Sequence, residues 1–256
     1  AQRELVRFVR QRSRVVGALL TPVIFWLVIG MGVGPTFTAP GHDVGYGTYF
    51  FPGVILMVVL FTAIFSTISL IEDRRDGFLQ GVLVAPVSRM SILLGKALGC
   101  SVLAVGQASL LLLLAPLAGI PVSIGALGLI VASLCIVSVS MSGLGLLIAW
   151  PMSSTQGFHA IMNVLLMPMW LVSGALFPLR DDMNVPLRVL IQLNPMTYML
   201  GLVRHAMFWD DAALRATLPA VGVCVGVTVG TGLVFYVVTA RLASRSTLRL
   251  PPPVSS

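Results

Sequence analysis

Residues that could perform catalysis are few in this chain of 256 residues. Its only lysine, Lys96, is followed by Ala97, whereas a phosphate-binding Gly-x-x-x-x-Gly-Lys loop requires Ser or Thr at that position. Ser173-Gly174 lacks the preceding glycine of a serine nucleophile turn. The three histidines are scattered over predicted loops and one helix end, at His42, His159 and His205. We therefore expect no catalytic residue, metal site or cofactor on this chain.

The segment Glu72–Arg89 begins with charges of both signs, in the order Glu-Asp-Arg-Arg-Asp. Its middle is apolar at helical spacing, and Pro86 ends the pattern. Because it is too short and too charged to span a membrane, it predicts a short helix that lies flat on lipid or presents its charged end to a partner. The alternative is a solvated loop whose arginines only set the topology.

The long segment Leu179–Thr217 is more apolar than water-exposed loops usually are. Near its end, Arg204 and His205 precede two carboxylates, Asp210 and Asp211. We expect an ion pair between these groups at the level of the lipid headgroups. A clamp or a helix cap made by the same side chains is the alternative.

Polar residues inside the apolar runs are candidates for lining a transport pathway. Gln107 and Asn163 are the main ones, but a single hydrogen bond between helices explains each of them equally well. Pro168 is predicted to kink the run that contains it, near the depth where a pathway would be gated.

The composition indicates that lipid is the solvent for most of the chain. Apolar residues make up 57% and charged residues 10%, whereas soluble domains are about half apolar and a quarter charged. Soluble enzymes and nucleic-acid-binding proteins are thereby excluded. Six apolar runs, with Lys96 as their one Lys, Arg, Asp or Glu, approach the length of a membrane-spanning helix, which predicts an all-α polytopic fold. They are Val15–Val33, Phe50–Ile71, Ile92–Leu117, Val122–Ala149, Phe158–Phe177 and Leu218–Thr239.

The basic residues indicate how the spans are oriented. Of the 16 basic residues, 11 lie before the first run, between the second and third, or after the sixth, and Lys96 lies just inside the start of the third. Since positive charge favours the cytoplasmic side, both termini are predicted to be cytoplasmic, including a tail at 240–256. The three cysteines lie within apolar runs, where we expect small buried hydrophobic residues, at Cys100, Cys135 and Cys224.

Residues 1–14 place apolar side chains among five arginines. This pattern predicts an amphipathic helix at the cytoplasmic membrane surface, with a disordered basic leader as the alternative. A cleaved signal peptide would also begin with arginines, but the apolar run that follows is too long, so we interpret it as a retained span.

Two motifs resemble one known family. The order acid-x-Arg-x-x-Gly-x-x-x-x-x-Leu-x-x-Pro-x-Ser-Arg, which ends at Arg89 and is followed by Leu-Gly-Lys, is similar to the loop between the second and third spans of ABC-2 type permeases. Leu193-Asn194-Pro195-Met196-Thr197-Tyr198, with Arg204 following, is similar to the motif that this family carries before its last span. Both motifs stand in register within the six-span layout.

The resemblance implies roles for particular residues. Gly77 to Pro86 would form the coupling helix of a cytoplasmic loop at 72–91, and residues 1–14 the interfacial helix. The coupling residues would be Glu72, Arg74, Arg75, Gly77, Gln80, Pro86 and Arg89. Family members often carry glutamate where this chain has Gln80. The segment 179–217 would form re-entrant helices that gate release at the outer face, through Asn194, Pro195, Tyr198 and Arg204. For Asn194-Pro195, an ordinary helix cap is the alternative.

The resemblance also implies a function and partners. The chain would be the permease of an ATP-driven exporter in a bacterial-type cytoplasmic membrane, paired with ATPase subunits that hold ATP and Mg²⁺ and with a second permease copy, identical or different. Aromatic residues are only 8% of the chain and many lie near span ends, which favours a lipophilic drug, lipid or glycoconjugate over a bare sugar chain. The alternative is a non-transport membrane protein, such as an assembly factor or an intramembrane hydrolase.

Overall fold

A computed structural model of the chain describes residues 12–33, 45–76, 88–177 and 183–246. Within these ranges the regular elements are helical, as the long apolar runs predict. The α-helices are α1 Arg12–Val33, α2 Tyr46–Phe65, α3 Ile68–Arg75, α4 Arg89–Leu112, α5 Ile124–Ala149, α6 Thr155–Trp170, α7 Val185–Leu193, α8 Pro195–Met207, α9 Ala212–Ala216 and α10 Val221–Ser246. A 3₁₀ turn at Ala115–Ala118 follows α4, and a π-helical turn at Leu171–Ala175 follows α6.

Five of the six predicted spans coincide with helices that are long and apolar enough to cross a membrane. These are Tyr46–Arg75, Met90–Leu112, Ile124–Ala149, Thr155–Ala175 and Val221–Ser244. The first predicted span forms helix α1, whose apolar part with described side chains is the shorter Leu19–Gly32. Its crossing of the membrane stays a prediction.

Helix α2 lies at the centre of the bundle, with α1, α4 and α5 packed around it. In the most apolar part of Tyr46–Arg75, 83% of the residues are buried, against 22% in Val221–Ser244. The peripheral helices therefore present apolar side chains outward, as a lipid-facing surface requires. This explains one wrong expectation: Cys100 and Cys224 are buried, but Cys135 is exposed on α5. A lipid-facing position is as compatible with a small apolar side chain as the core is.

The second predicted span is not one continuous helix. It breaks at Ser66 and Thr67 between α2 and α3, where the Thr67 hydroxyl donates to the carbonyl of Ile64 at 2.6 Å. Gly145 of α5 packs against this break, because a Cβ at Gly145 would lie only 2.7 Å from the Thr67 hydroxyl oxygen. A residue without a side chain thus lets α5 approach the break closely.

Polar side chains cap the beginnings of several helices. Ser88, Ser123 and Ser154 accept hydrogen bonds from backbone N–H groups three residues later, at the starts of α4, α5 and α6. These caps satisfy donors that a helix leaves unpaired in its first turn. They place the helix starts within a few residues of the predicted span boundaries.

Two short helices, α7 and α8, occupy the apolar segment and meet at Asn194, directly before Pro195. The break that the motif predicts therefore lies at that position. Whether these helices re-enter the membrane stays a prediction. Helix α10 continues to Ser246, beyond the predicted end of the span at Thr239.

Residues 1–11, 77–87 and 247–256 lie outside the described residues. The predicted interfacial helix 1–14, the coupling helix Gly77 to Pro86 and most of the tail 240–256 are therefore still predictions. Below, the end of the bundle formed by the last turn of α3 is called the inner end, and the end formed by the first turn of α2 is called the outer end.

Candidate functional site

The predicted coupling residues fall into two groups. Glu72, Arg74 and Arg75 lie in the last turn of α3, next to the predicted coupling segment. Gly77, Gln80 and Pro86 lie outside the described residues, as does the side chain of Arg89, whose backbone begins α4. The geometry of the site is therefore built from the α3 end and its neighbours.

Arg74 bonds to the turn that connects α5 to α6. Its Nη2 donates to the carbonyl of Trp150 at 2.5 Å, and its Nη1 donates to the carbonyl of Met152 at 3.3 Å. The guanidinium carbon lies 5.4 Å from the centre of the Trp150 ring. A planar guanidinium suits this contact because it can donate to two acceptors and stack on a ring at once.

The flanking residues extend the contact to a third helix. The Nε of Arg75 donates to the carbonyl of Ser153 at 3.0 Å, and Asp73 forms an ion pair with Lys96 of α4 at 2.6 Å. The Asp73 and Lys96 side chains are only 15% and 12% exposed, so solvent screens this pair less than a surface pair. The α3 end is thus fixed to α4 and to the α5–α6 turn.

The sequence predicts only part of the contacts at the α3 end. Arg74 and Arg75 were predicted to belong to a coupling site, and the structure shows that their guanidinium groups bond within the chain. The Asp73–Lys96 pair was missed. Its signal was present in the sequence, since the only lysine of the chain stands within an apolar run and needs an acidic partner.

Arg204 is buried at the outer end and does not form the predicted ion pair. Its Nη2 donates to the carbonyls of Gly174 at 3.1 Å and Tyr49 at 3.4 Å, and its guanidinium carbon lies 4.1 Å from the centre of the Tyr49 ring. The predicted pairing with Asp210 or Asp211 is wrong, because the guanidinium bonds to these carbonyls instead. Asp211 caps α9 by accepting from the N–H of Leu214 at 2.9 Å. The helix-cap alternative is correct for this residue.

The Gly174 carbonyl, one of the two that Arg204 binds, lies in an irregular turn after α6. Gly174 has φ of +82°, a backbone conformation that residues with a side chain rarely adopt. The turn around it is π-helical. The hydroxyl of Tyr49 donates to the same carbonyl at 2.9 Å. This irregularity follows Pro168 by several residues, and the kink predicted at the proline itself stays a prediction.

The remaining predicted gate residues, Asn194, Pro195 and Tyr198, stabilise the ends of neighbouring helices. The Asn194 side chain accepts from the N–H of Met196 at 3.0 Å and caps α8, while its Nδ2 donates to the carbonyl of Met169 at 2.6 Å. Pro195 occupies the first turn of α8, where its missing N–H costs no helical hydrogen bond. The hydroxyl of Tyr198 donates to the carbonyl of Gln192 at 2.9 Å. The helix-cap alternative for Asn194 is therefore confirmed, and the same side chain also bonds to α6.

The two predicted pathway residues differ in their surroundings. Gln107 is 2% exposed, and its side-chain oxygen accepts from the hydroxyl of Thr62 on α2. Asn163 is exposed on α6. Gln107 lies 11 residues after Lys96 on α4, about 16 Å along the helix, which is half the thickness of the bilayer core. If the Asp73–Lys96 pair marks the inner boundary, the Thr62–Gln107 contact lies near mid-membrane.

A cavity of about 680 Å³ opens at the outer end, between the first turn of α2, the turn after α4 and helix α9. Its lining includes Thr48, Phe208, Asp210 and Asp211. Among the described His, Cys, Asp and Glu residues, no group of three could hold a metal ion.

Comparisons with known proteins identify the family of this chain. A sequence model of the family described as ABC-2 type transporter matches residues 1–208. A relative from Cyanophora paradoxa, named "Putative transport permease ycf38", is 28% identical over 206 residues, which are 79% of this chain and 71% of the relative. The family match covers both sequence motifs, the contacts of Arg74 and Arg75, and the outer helices up to the end of α8. The chain belongs to the ABC-2 type transporter family, as a transport permease of the membrane.

Proposed function

We propose that this chain is the membrane subunit of an ATP-driven ABC exporter that moves a lipophilic drug, lipid or glycoconjugate outward across a bacterial-type cytoplasmic membrane. In this proposal ATP and Mg²⁺ bind to separate ATPase subunits, and the chain works with a second permease copy, identical or different. Both termini lie in the cytoplasm. The family match supports a transport role over an assembly factor or an intramembrane hydrolase.

The observation that carries the proposal is the fixed position of the α3 end. Arg74, Arg75 and Asp73 join it to α4 and to the turn between α5 and α6. An ATPase subunit that docked on the adjoining loop at 72–91 would therefore act on the inner ends of several spans together. A membrane subunit of this kind needs no catalytic residue, since ATP-driven closure of the partner only has to favour one of two packings of the spans.

The packing of the aromatic residues supports a lipophilic substrate. The rings of Phe25, Phe50 and Trp170 lie 5.8–6.1 Å apart, and the last two side chains are fully buried. These rings pack on one another in the core and so do not present faces on which a sugar chain could stack. The exposed surface of the spans is formed instead by aliphatic side chains, which suit an amphiphile that enters from lipid.

The same proposal assigns the gating of release to α7 and α8. Helix α7 buries only Ile191 and exposes five apolar side chains, which is favourable in lipid and unfavourable in water. They are Val185, Leu187, Val189, Leu190 and Leu193. Asn194 connects α8 to the last turn of α6, and Arg204 connects it to the π-helical turn that follows. A movement of α6 would therefore be transmitted to α8 at the outer face.

The proposal is tested by searching the genes beside its own for a Walker-motif ATPase, co-expressing the two proteins and reconstituting both in liposomes. We expect a stable complex, and ATP-dependent outward movement of a fluorescent phospholipid analogue or a lipophilic dye. Gly77→Trp and Arg75→Glu should abolish transport, whereas Arg241→Glu, a change of an exposed arginine on α10, should not. A chain that neither binds this ATPase nor alters its ATP hydrolysis would contradict the proposal.

A further inference from the structure

The turn after α5 contains carbonyl groups that no longer belong to a helix. Helix α5 ends at Ala149, and α6 begins at Thr155 after its cap at Ser154. The last carbonyls of a helix lack intrahelical donors, and they concentrate negative partial charge at that end. Here the carbonyls of Trp150, Met152 and Ser153 are bonded by arginines from α3. Two cations from another helix thus bond to the C-cap residue of α5, Trp150, and to the turn that follows it.

Arg74 makes the larger part of these contacts. It donates to two of the three carbonyls and lies over the Trp150 ring, and its side chain is partly buried. Arg75 makes one hydrogen bond and is exposed. A lysine at position 74 would keep the charge, but it could not hold two carbonyls and the ring in one fixed plane.

Helix α3 is also held at its other end by α5. Thr67, which precedes α3, packs against Gly145 so closely that a Cβ on that glycine would clash with it. Thr67 and Arg74 therefore fix both ends of α3 to the last part of α5 and to the turn that follows. Two separated contacts prevent α3 from pivoting on α5, so the two elements are expected to move as one body.

We propose that Arg74 is a positioning residue that carries a displacement of α3 to the inner ends of α5 and α6. The inference rests on the proposed function, because the displacement would come from an ATPase subunit docked beside α3. Arg74 acts through the turn at 150–153 and touches neither ATP nor the transported molecule. Its replacement should therefore uncouple the spans from ATP without preventing the ATPase from binding nucleotide.

The test uses the complex of permease and ATPase in nanodiscs. A reporter cysteine replaces Gln156, which is exposed in the first turn of α6, and Cys135, which is also exposed, is changed to Ala. The rate of maleimide labelling at position 156 is measured with and without Mg-ATP plus orthovanadate, which traps the closed ATPase. Trapped nucleotide is quantified in the same samples.

With Arg74 present, trapping should change the labelling rate by about fivefold, a modest coupling between distant sites. Arg74→Gln and Arg74→Lys should abolish this change while nucleotide trapping stays normal. Arg241→Gln, which removes the charge of an exposed arginine on α10, is the matched control and should respond like the wild type. If Arg74→Gln does not accumulate in the membrane, Arg74→Lys decides.

The outcomes separate the two proposals. A full response at position 156 in Arg74→Lys or Arg74→Gln would overturn the inference, and so would normal trapping in the wild type without any change at that position. A wild-type chain that binds no ATPase and traps no nucleotide would overturn the proposed function instead.

Discussion

Two arginines, Arg74 and Arg204, stand at opposite ends of the second span, and backbone carbonyls accept hydrogen bonds from both. Arg204 also binds the Tyr49 carbonyl within α2, but the other carbonyls lie in irregular turns, after α5 for Arg74 and after α6 for Arg204. Such carbonyls lack helical donors, so a guanidinium satisfies them while its own charge is partly compensated. Each arginine also stacks on an aromatic ring, Trp150 or Tyr49.

At the residue scale, we predict that Arg204→Gln lowers the free energy of unfolding by about 2 kcal/mol, because it removes charged hydrogen bonds and a buried ring contact. The control is Arg215→Gln, since Arg215 is less buried and lies 5.0 Å from the Trp209 ring. Arg215→Gln should lower the free energy of unfolding by less than about 1 kcal/mol. Unfolding in mixed micelles of rising dodecyl sulfate content measures both, and equal losses would contradict the assigned role of Arg204.

At the scale of elements, α7 is the least buried apolar helix in the predicted outer segment. Of its side chains only Ile191 is buried, although the helix is rich in valine and leucine. Its neighbour α8 buries most of its residues, including Met196, Leu200 and Val203. Helix α8 is therefore anchored in the bundle, whereas α7 lies on its surface. The exposed apolar side chains of α7 require an apolar environment.

The depth of α7 is measured by spin labels at Leu190→Cys and, as a control, at Ala213→Cys, an exposed residue of α9 that lines the outer cavity. We expect oxygen, which concentrates in lipid, to relax the label at position 190 more than a water-soluble nickel complex does. The label at position 213 should show the opposite preference. A label at position 190 that responds to nickel as strongly as the one at position 213 would show that α7 lies in water.

At the scale of the whole molecule, the number of crossings depends on α1. The other five candidate spans are long and apolar enough to cross a membrane. With α1 as a span, both termini lie on one side, together with most of the basic residues. Without α1 as a span, the first arginines would lie on the side opposite to Arg74 and Arg75. That would contradict the usual enrichment of basic residues on the cytoplasmic side.

Single cysteines at Thr36, Ser154 and Asn184 test this, in a chain whose exposed Cys135 is changed to Ala. A membrane-impermeant maleimide added to intact cells should label positions 36 and 184, and it should reach position 154 only after the membrane is opened. A cysteine at Ser13, at the start of α1, decides whether that helix crosses, because position 36 stays outside in either case. Position 13 should be labelled only after the membrane is opened, and labelling there in intact cells would show that α1 does not cross. Labelling of position 154 in intact cells would reject the predicted orientation altogether.

The sequence by itself determined the helical class, the positions of the long spans and the break before Pro195. These features depend on the length of apolar runs and on the missing N–H of proline, which are local properties. The family was also recognisable from two short motifs, because their spacing places them in corresponding connections between spans.

Only the tertiary structure decided what the polar side chains contact. Arg204 was expected to pair with a nearby carboxylate, but its partners belong to Tyr49 and Gly174, far away in the chain. Arg74 likewise reaches carbonyls more than 70 residues away. Carbonyls are present at every residue, so sequence cannot indicate which of them a turn leaves free. That depends on where helices end and which ends the packing brings together.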